Sequence, residues 1–312
     1  MDRKFFVKKV NCGWLNDYYN AGIRPMKKLL SIPLIALAIV CGCESTDNMK
    51  RVDDIDMAYW TYGEGYPLVM ITGFSGTMDM WDPTVITKFS TGYQVIVFDN
   101  RGMGKTTTGI REFTIEQFAD DTANLMIALG IEQAHVLGWS MGTEIAQELV
   151  LRHPEKVNRL VLYAADCGGN EAILASDDVV RKMFDKSGTE EEQAYRMFET
   201  LFPEDWLIRN RDYIFNLFAG MVTESSSEEN IQKQWLAYQD WGGCYDRLPG
   251  IKSPTLLITG DQDINTPTAN SPIIARQIPG VKLVMIEGGG HGVMYQDPQQ
   301  FAAEVLSFLR SQ

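Results

Sequence analysis

From residue 53 onward, short unbroken apolar runs alternate with stretches whose apolar positions recur every three to four residues. That alternation is the pattern of a mostly parallel β-sheet flanked by helices. Strands are predicted at 55–61 and 68–71, about a Gly63-Glu64-Gly65 turn, and at 94–98, 134–137, 159–164, 255–259 and 282–286. The run at 94–98 (QVIVF) is nearly all apolar, as in a parallel strand buried on both faces. Thr114-Ile-Glu-Gln117 has the spacing of a capping box and opens a helix that stops at Gly130. Further helices are predicted over 141–152 and 298–309. Between Gly168 and Gly250 the alternation gives way to a helical pattern holding 12 of the chain's 33 aromatic residues. The segment 168–250 is therefore expected to be a helical cap inserted into a core formed by 51–167 and 251–312. Most of its aromatics are expected to pack cap helices together, with three or four facing a pocket.

Ahead of this body, residues 26–45 read MKKLLSIPLIALAIVCGCES: two lysines, an apolar run, small residues, then a polar stretch. This is the order of a secretory signal, and the run is too short to span a bilayer. Val40-Cys41-Gly42-Cys43 resembles the lipobox of bacterial lipoproteins, although Cys41 stands where Ala, Ser or Thr is usual. The resemblance implies lipidation at Cys43, with 1–42 an N-terminal extension plus signal peptide and 43–50 a polar tether. Met26 begins a complete signal, so residues 1–25 are expected to be an upstream translation artefact or a dispensable extension. The protein is expected to be exported and held at a membrane surface by its lipid anchor alone; plain secretion, a periplasmic location or a cytoplasmic one are the alternatives.

Charge supports that division. Residues 1–42 carry a net +5, so the remaining 270 residues carry −18 of the chain's −13 total. So acidic a body repels a phosphate backbone, and nucleic-acid binding is not expected. The apolar fraction of 45% suffices for a sizeable core and argues against disorder. Two cysteines lie in the body, Cys167 and Cys244, either paired in an oxidising compartment or left as buried thiols. No C-x-x-C pair or H-E-x-x-H is present, so no metal site is expected. Gly102-Met-Gly-Lys-Thr106 has the ending of a phosphate-binding loop, but Asp99 occupies the position of its first glycine.

The chemistry-bearing motif is Gly138-Trp139-Ser140-Met141-Gly142, at a predicted strand-to-helix junction. There the chain must turn so sharply that side chains two residues either side of the serine would collide, and the helix that follows aims N–H groups at the site. A nucleophilic serine needs a base, and the chain has three histidines. His135 lies roughly 16 Å back along the same strand, and His153 roughly 20 Å along the following helix. His291, in the Gly288-Gly-Gly-His-Gly292 loop after the last strand, remains. Loops at the carboxyl ends of parallel strands converge on one face. Asp166, Asp261 and Asp263 all leave such ends, so geometry leaves the orienting acid open.

These residues resemble the α/β-hydrolase superfamily, in its carboxylesterase and enol-lactonase-like branch, over about 260 residues. The chain order Ser140…Asp263…His291 matches the family's Ser…Asp/Glu…His. The resemblance implies an eight-stranded sheet with an inserted cap and a catalytic set of Ser140, Asp263 and His291. Asp263 matches the family's G-x-x-D in Gly260-Asp-Gln-Asp263. Asp99-Asn-Arg-Gly-Met-Gly104 matches its D-x-R-G-x-G turn. Residues 71–75 stand in place of its His-Gly-x loop, which implies an oxyanion hole from the backbone N–H of Phe74 and Met141. Thr72 departs from the usual His there, and Thr143 from a second Gly. A serine rather than aspartate nucleophile implies acyl transfer without a cofactor. The expected substrate is a small apolar ester or lactone, with no protein partner. A C–C bond hydrolase, a thioesterase, a cofactor-free perhydrolase or a non-catalytic ligand-binding lipoprotein are the alternatives.

Overall fold

The computed structural model describes residues 48–221 and 226–311, with the side chains of 220 and 221 excepted. The signal-like segment and Cys43 lie outside the described residues. Eight strands form one sheet: β1 (Asn48–Val52), β2 (Ile55–Tyr62), β3 (Tyr66–Ile71), β4 (Tyr93–Phe98), β5 (Ala134–Trp139), β6 (Val157–Tyr163), β7 (Thr255–Gly260) and β8 (Lys282–Ile286). Their spatial order is β1-β2-β4-β3-β5-β6-β7-β8; β2 is antiparallel to both neighbours and every other pairing is parallel. Strand β1 begins at Asn48, inside the stretch expected to be tether, because Asn48–Val52 pairs residue by residue with 55–59 as an edge strand.

Ten helices accompany the sheet among the described residues: α1 (Pro83–Ser90), α2 (Ile115–Ala128), α3 (Met141–Arg152), α4 (Asp177–Phe184), α5 (Glu190–Leu201), α6 (Glu204–Met221), α7 (Glu228–Asp240), α8 (Asn270–Ala275), α9 (Val293–Gln296) and α10 (Pro298–Arg310). One apolar cluster buries residues of α2 and α3 against one face of the sheet, and a second buries residues of α1 and α10 against the other. With both faces covered, β5 and β7 are buried at every position, which is why their sequences show no polar alternation.

Thr114 caps α2 by accepting the N–H of Gln117 at 3.0 Å. The reciprocal half of the expected capping box is replaced: the Gln117 amide donates instead to Asp121, at 2.8 Å. Asp121 in turn holds the buried Arg101 guanidinium together with Asp54, so tertiary demand for a satisfied cation outweighs the local cap. Helices α4–α7 fill the interval between β6 and β7. Their C-terminal end is tied to α3 through the buried Glu148, which accepts from the Trp241 indole at 2.9 Å and from the Arg247 guanidinium. Cys167 and Cys244 are buried free thiols. They are linked through the backbone, Cys244 N–H to the Cys167 carbonyl at 2.8 Å.

Candidate active site

Strand β5 ends at Trp139 and α3 begins at Met141, so a single residue, Ser140, turns the chain. It sits at φ 55°, ψ −129°, a conformation costing on the order of 1–3 kcal/mol that persists only where the surroundings impose it. The two glycines show what imposes it. A methyl group on Gly138 would lie 2.2 Å from the Gly142 carbonyl oxygen, and one on Gly142 would lie 2.2 Å from the Ile71 carbonyl oxygen. The turn is fastened by Ser140 N–H to the Tyr163 carbonyl at 3.0 Å, and by the Thr143 amide and hydroxyl, each 2.7 Å from the Ser140 carbonyl. Thr143, where a second glycine was expected, thus acts as a clasp.

His291 lies in the loop between β8 and α9, with Nδ1 2.9 Å from Asp263 Oδ2 and both side chains buried. The other oxygen, Asp263 Oδ1, accepts the backbone N–H of Asn265 and of Thr266, each at 2.9 Å. These two amides aim the remaining oxygen at the imidazole. Tyr163 steadies the loop from below: its hydroxyl donates to the His291 carbonyl at 2.6 Å and accepts the Met294 N–H at 3.2 Å. Of the three carboxylates that sequence geometry left open, Asp263 is the one bonded to His291. Asp261 accepts the Gly288 N–H and Asp166 the Gly168 N–H, each at 2.8 Å.

The other two histidines are elsewhere. His135 is wedged between the rings of Tyr66 and Tyr93, where burial, reinforced by Arg159, pushes its pKa down to about 4. His153 is bonded to Asp120 at 2.8 Å.

The loop after β3 packs directly on the serine, since a methyl group on Gly73 would fall 2.9 Å from Ser140 Cβ. Four hydrogen bonds shape it. Gly76 N–H donates to the Gly73 carbonyl at 3.1 Å, the Thr72 hydroxyl to the Gly76 carbonyl at 3.4 Å, and the Asn100 amide to the Thr72 carbonyl at 3.3 Å. The fourth comes from far along the chain: Gln234 Oε1, on α7, accepts the Ser75 N–H at 2.6 Å, with Ser75 itself at φ 54°. Gln234 is fully buried. It and Thr72, which stands where the resemblance has a histidine, both bond to this loop. Nothing in the sequence marks Gln234, because its role exists only once α7 lies over the loop.

Two cavities meet at Ser140. The first, about 630 Å³, is walled by Met80, Trp139, Met197, Phe198, Phe215 and Phe218 and is bordered by both Ser140 and His291. The second, about 490 Å³, is bordered by Ser140 and Met141 and reaches Glu144, Asp166 and Tyr238. Phe74, Met183 and Asn265 border both. Residues 213–218 thus contribute two phenylalanines to the first cavity rather than only packing the cap. Six aromatics of the 168–250 segment face one cavity or the other, more than the three or four expected.

Residues 66–298 match the family described as alpha/beta hydrolase fold. A protein of Azorhizobium caulinodans provisionally named carbamate hydrolase RutD is 28% identical over 82% of this chain and 95% of its own length. One of Synechocystis, provisionally named a non-heme chloroperoxidase, is 29% identical over 85% and 99%. The crystal structure of the enol-lactonase from Burkholderia xenovorans superposes with a TM-score of 0.72 at 23% identity, over 85% of this chain and all of that one. A family match over most of the chain, an eight-stranded mostly parallel sheet flanked by helices and a shared topology with solved members lead to one conclusion: the chain belongs to the alpha/beta hydrolase fold family.

Proposed function

We propose that this hydrolase cleaves a carboxylic ester or lactone with a small apolar portion, through an acyl-enzyme on Ser140. The observation that carries the reading is a strained serine bordering the same apolar cavity as a buried His–Asp pair. His291 Nε2 takes the Ser140 hydroxyl proton as Oγ bonds to the carbonyl carbon, while Nδ1–H keeps donating to the Asp263 carboxylate, which fixes the tautomer and stabilises the imidazolium. The amides of Phe74 and Met141 receive the oxyanion. The tetrahedral intermediate expels the alkoxide, which takes the proton from His291. Water, deprotonated by the same ring, then frees the acid and restores Ser140. Ser140 and His291 border one cavity without a direct hydrogen bond between them, and such contacts commonly tighten only in the substrate complex.

The relatives' names are consistent with attack on an acyl carbonyl, as carbamates and enol-lactones both present one. A fluorophosphonate probe is the direct test. Wild type is expected to be labelled at Ser140, and Ser140→Ala to lose labelling and several orders of magnitude in kcat. Near-wild-type ester turnover by Ser140→Ala refutes the assignment. We further propose, from residues 26–45, that the protein is exported and anchored through lipid on Cys43.

A further inference from the structure

The second cavity has a chemistry unlike the first. Glu144, on the first turn of α3, is 1% exposed, and Asp166, just after β6, is 6% exposed. Both carboxyls border this cavity together with Tyr238, and Asp166 Oδ1 accepts the Gly168 N–H at 2.8 Å. Glu144 Oε2 is buried with no hydrogen-bond partner. Burial, together with the neighbouring Asp166, pushes the Glu144 pKa well above the ordinary carboxylate range. Of the two, Asp166 has the backbone N–H that favours a charged form, so negative charge in the cluster falls to it. Asp177 adds another acid to the lining, and no Lys, Arg or His is among the lining residues.

Four aromatic residues share the walls with aliphatic and amide side chains. Trp235 and Tyr238 stack at 5.3 Å, Phe74 lies 5.3 Å from Trp235, and Trp241 joins them around the cavity. Ring faces beside uncompensated negative charge attract an organic cation, both through the ring quadrupoles and through the carboxylate. A buried anion without a basic partner is costly unless something else supplies the positive charge.

We propose that this chamber binds a positively charged ammonium arm of the substrate, placed across the scissile carbonyl from an apolar arm in the first cavity. The inference rests on Ser140 being the nucleophile, since the two cavities meet at that residue. The substrate class is then an ester or lactone carrying an alkylammonium group within a few bonds of the carbonyl.

Two matched ester pairs test it. One pair has a shared apolar acyl group with either choline or 3,3-dimethylbutanol as the alcohol. The other has a shared benzyl alcohol with either 4-(trimethylammonio)butanoate or 5,5-dimethylhexanoate as the acid. Each kcat/KM is divided by the rate of the same ester in hydroxide, which removes intrinsic reactivity. The expected result is a preference of about 10-fold or more for the cationic member of at least one pair. In Asp166→Asn it should shrink to within about threefold, a ratio that a general loss of activity does not move. Should that variant not fold, Trp235→Leu is expected to lower the same ratio. Preferences within twofold for both pairs in wild type, or a preference untouched in a folded Asp166→Asn, overturn the proposal. Calorimetric titration with choline and with 3,3-dimethylbutanol reads the chamber independently of turnover. Roughly tenfold tighter cation binding supports the inference, and equal or absent binding overturns it. Failure of Ser140 to label counts instead against the hydrolase reading.

Discussion

Gln234→Leu separates a positioning role from a packing role. The glutamine's Oε1 is the acceptor for the Ser75 N–H, at 2.6 Å, in the loop whose Phe74 amide is the proposed oxyanion donor. Removing it leaves a half-buried backbone donor unpaired, at a cost of up to roughly 1–3 kcal/mol. The same substitution also removes Gln234 Nε2, which is buried without a partner, so leucine relieves a comparable cost and overall stability should change by about 1 kcal/mol or less. The loop, in contrast, must turn the Ser75 N–H toward another acceptor, and Phe74 turns with it. Outright loss of an oxyanion donor costs about 10²- to 10³-fold in kcat. Partial misalignment is therefore expected to lower kcat roughly 10-fold, or about 1.4 kcal/mol, with KM little changed. The assay is steady-state hydrolysis of a p-nitrophenyl ester, alongside thermal unfolding. Gln234→Glu keeps an oxygen facing Ser75 and is expected to recover most of the rate. A folded Gln234→Leu protein with wild-type kcat, or with a change in KM alone, would falsify the coupling between α7 and the oxyanion loop.

Other expectations follow from single contacts. In Asp263→Asn, the Asn265 and Thr266 amides retain the carbonyl oxygen, so the new NH₂ faces His291 Nδ1 and forces the ring into the wrong tautomer. A kcat loss of about 10⁴-fold is expected, and a loss under tenfold argues against the orienting role. Gly142→Ala sets a methyl 2.2 Å from a backbone oxygen that cannot yield. Denaturant titration should show a loss of several kcal/mol, roughly 3 or more, and a stability within 1 kcal/mol of wild type contradicts the strained turn. Asp99 is raised from 3.8 to about 6, chiefly by burial, while its oxygens accept the Met78 and Lys105 N–H groups. Its protonated form is the one the fold favours, so its contribution is full below pH 3.8 and is lost as the pH climbs through 6. Relative to Asp99→Asn, wild type should gain about 2 kcal/mol between pH 7.5 and 4; a flat or inverted difference in unfolding free energy rejects this.

The sequence alone determined most elements and their order, because the central strands of the parallel core are buried on both faces and carry few polar residues. The 134–139 and 255–260 runs carry that signature directly. It also determined the Ser140 turn, whose two glycines are required by backbone packing within one short stretch. Elimination among three histidines singled out His291, since strand and helix rise exclude the other two. Edge strand β1 escaped notice, because a strand exposed on one side needs little hydrophobicity and Asn48–Val52 has little. Tertiary structure decided the rest. Distances across the sheet edge separated Asp263 from Asp261 and Asp166, which local sequence could not rank. Gln234 acquired its role only when a helix from the segment between β6 and β7 settled over the β3 loop. Glu144 is a polar residue on a helix that only the fold shows to be buried along nearly its whole length, and what it faces depends on which strand end brings Asp166 beside it. Local rules fix what forms from neighbours in the chain, whereas charges and hydrogen bonds at the site join residues about 20 to 160 positions apart, and only packing brings those together.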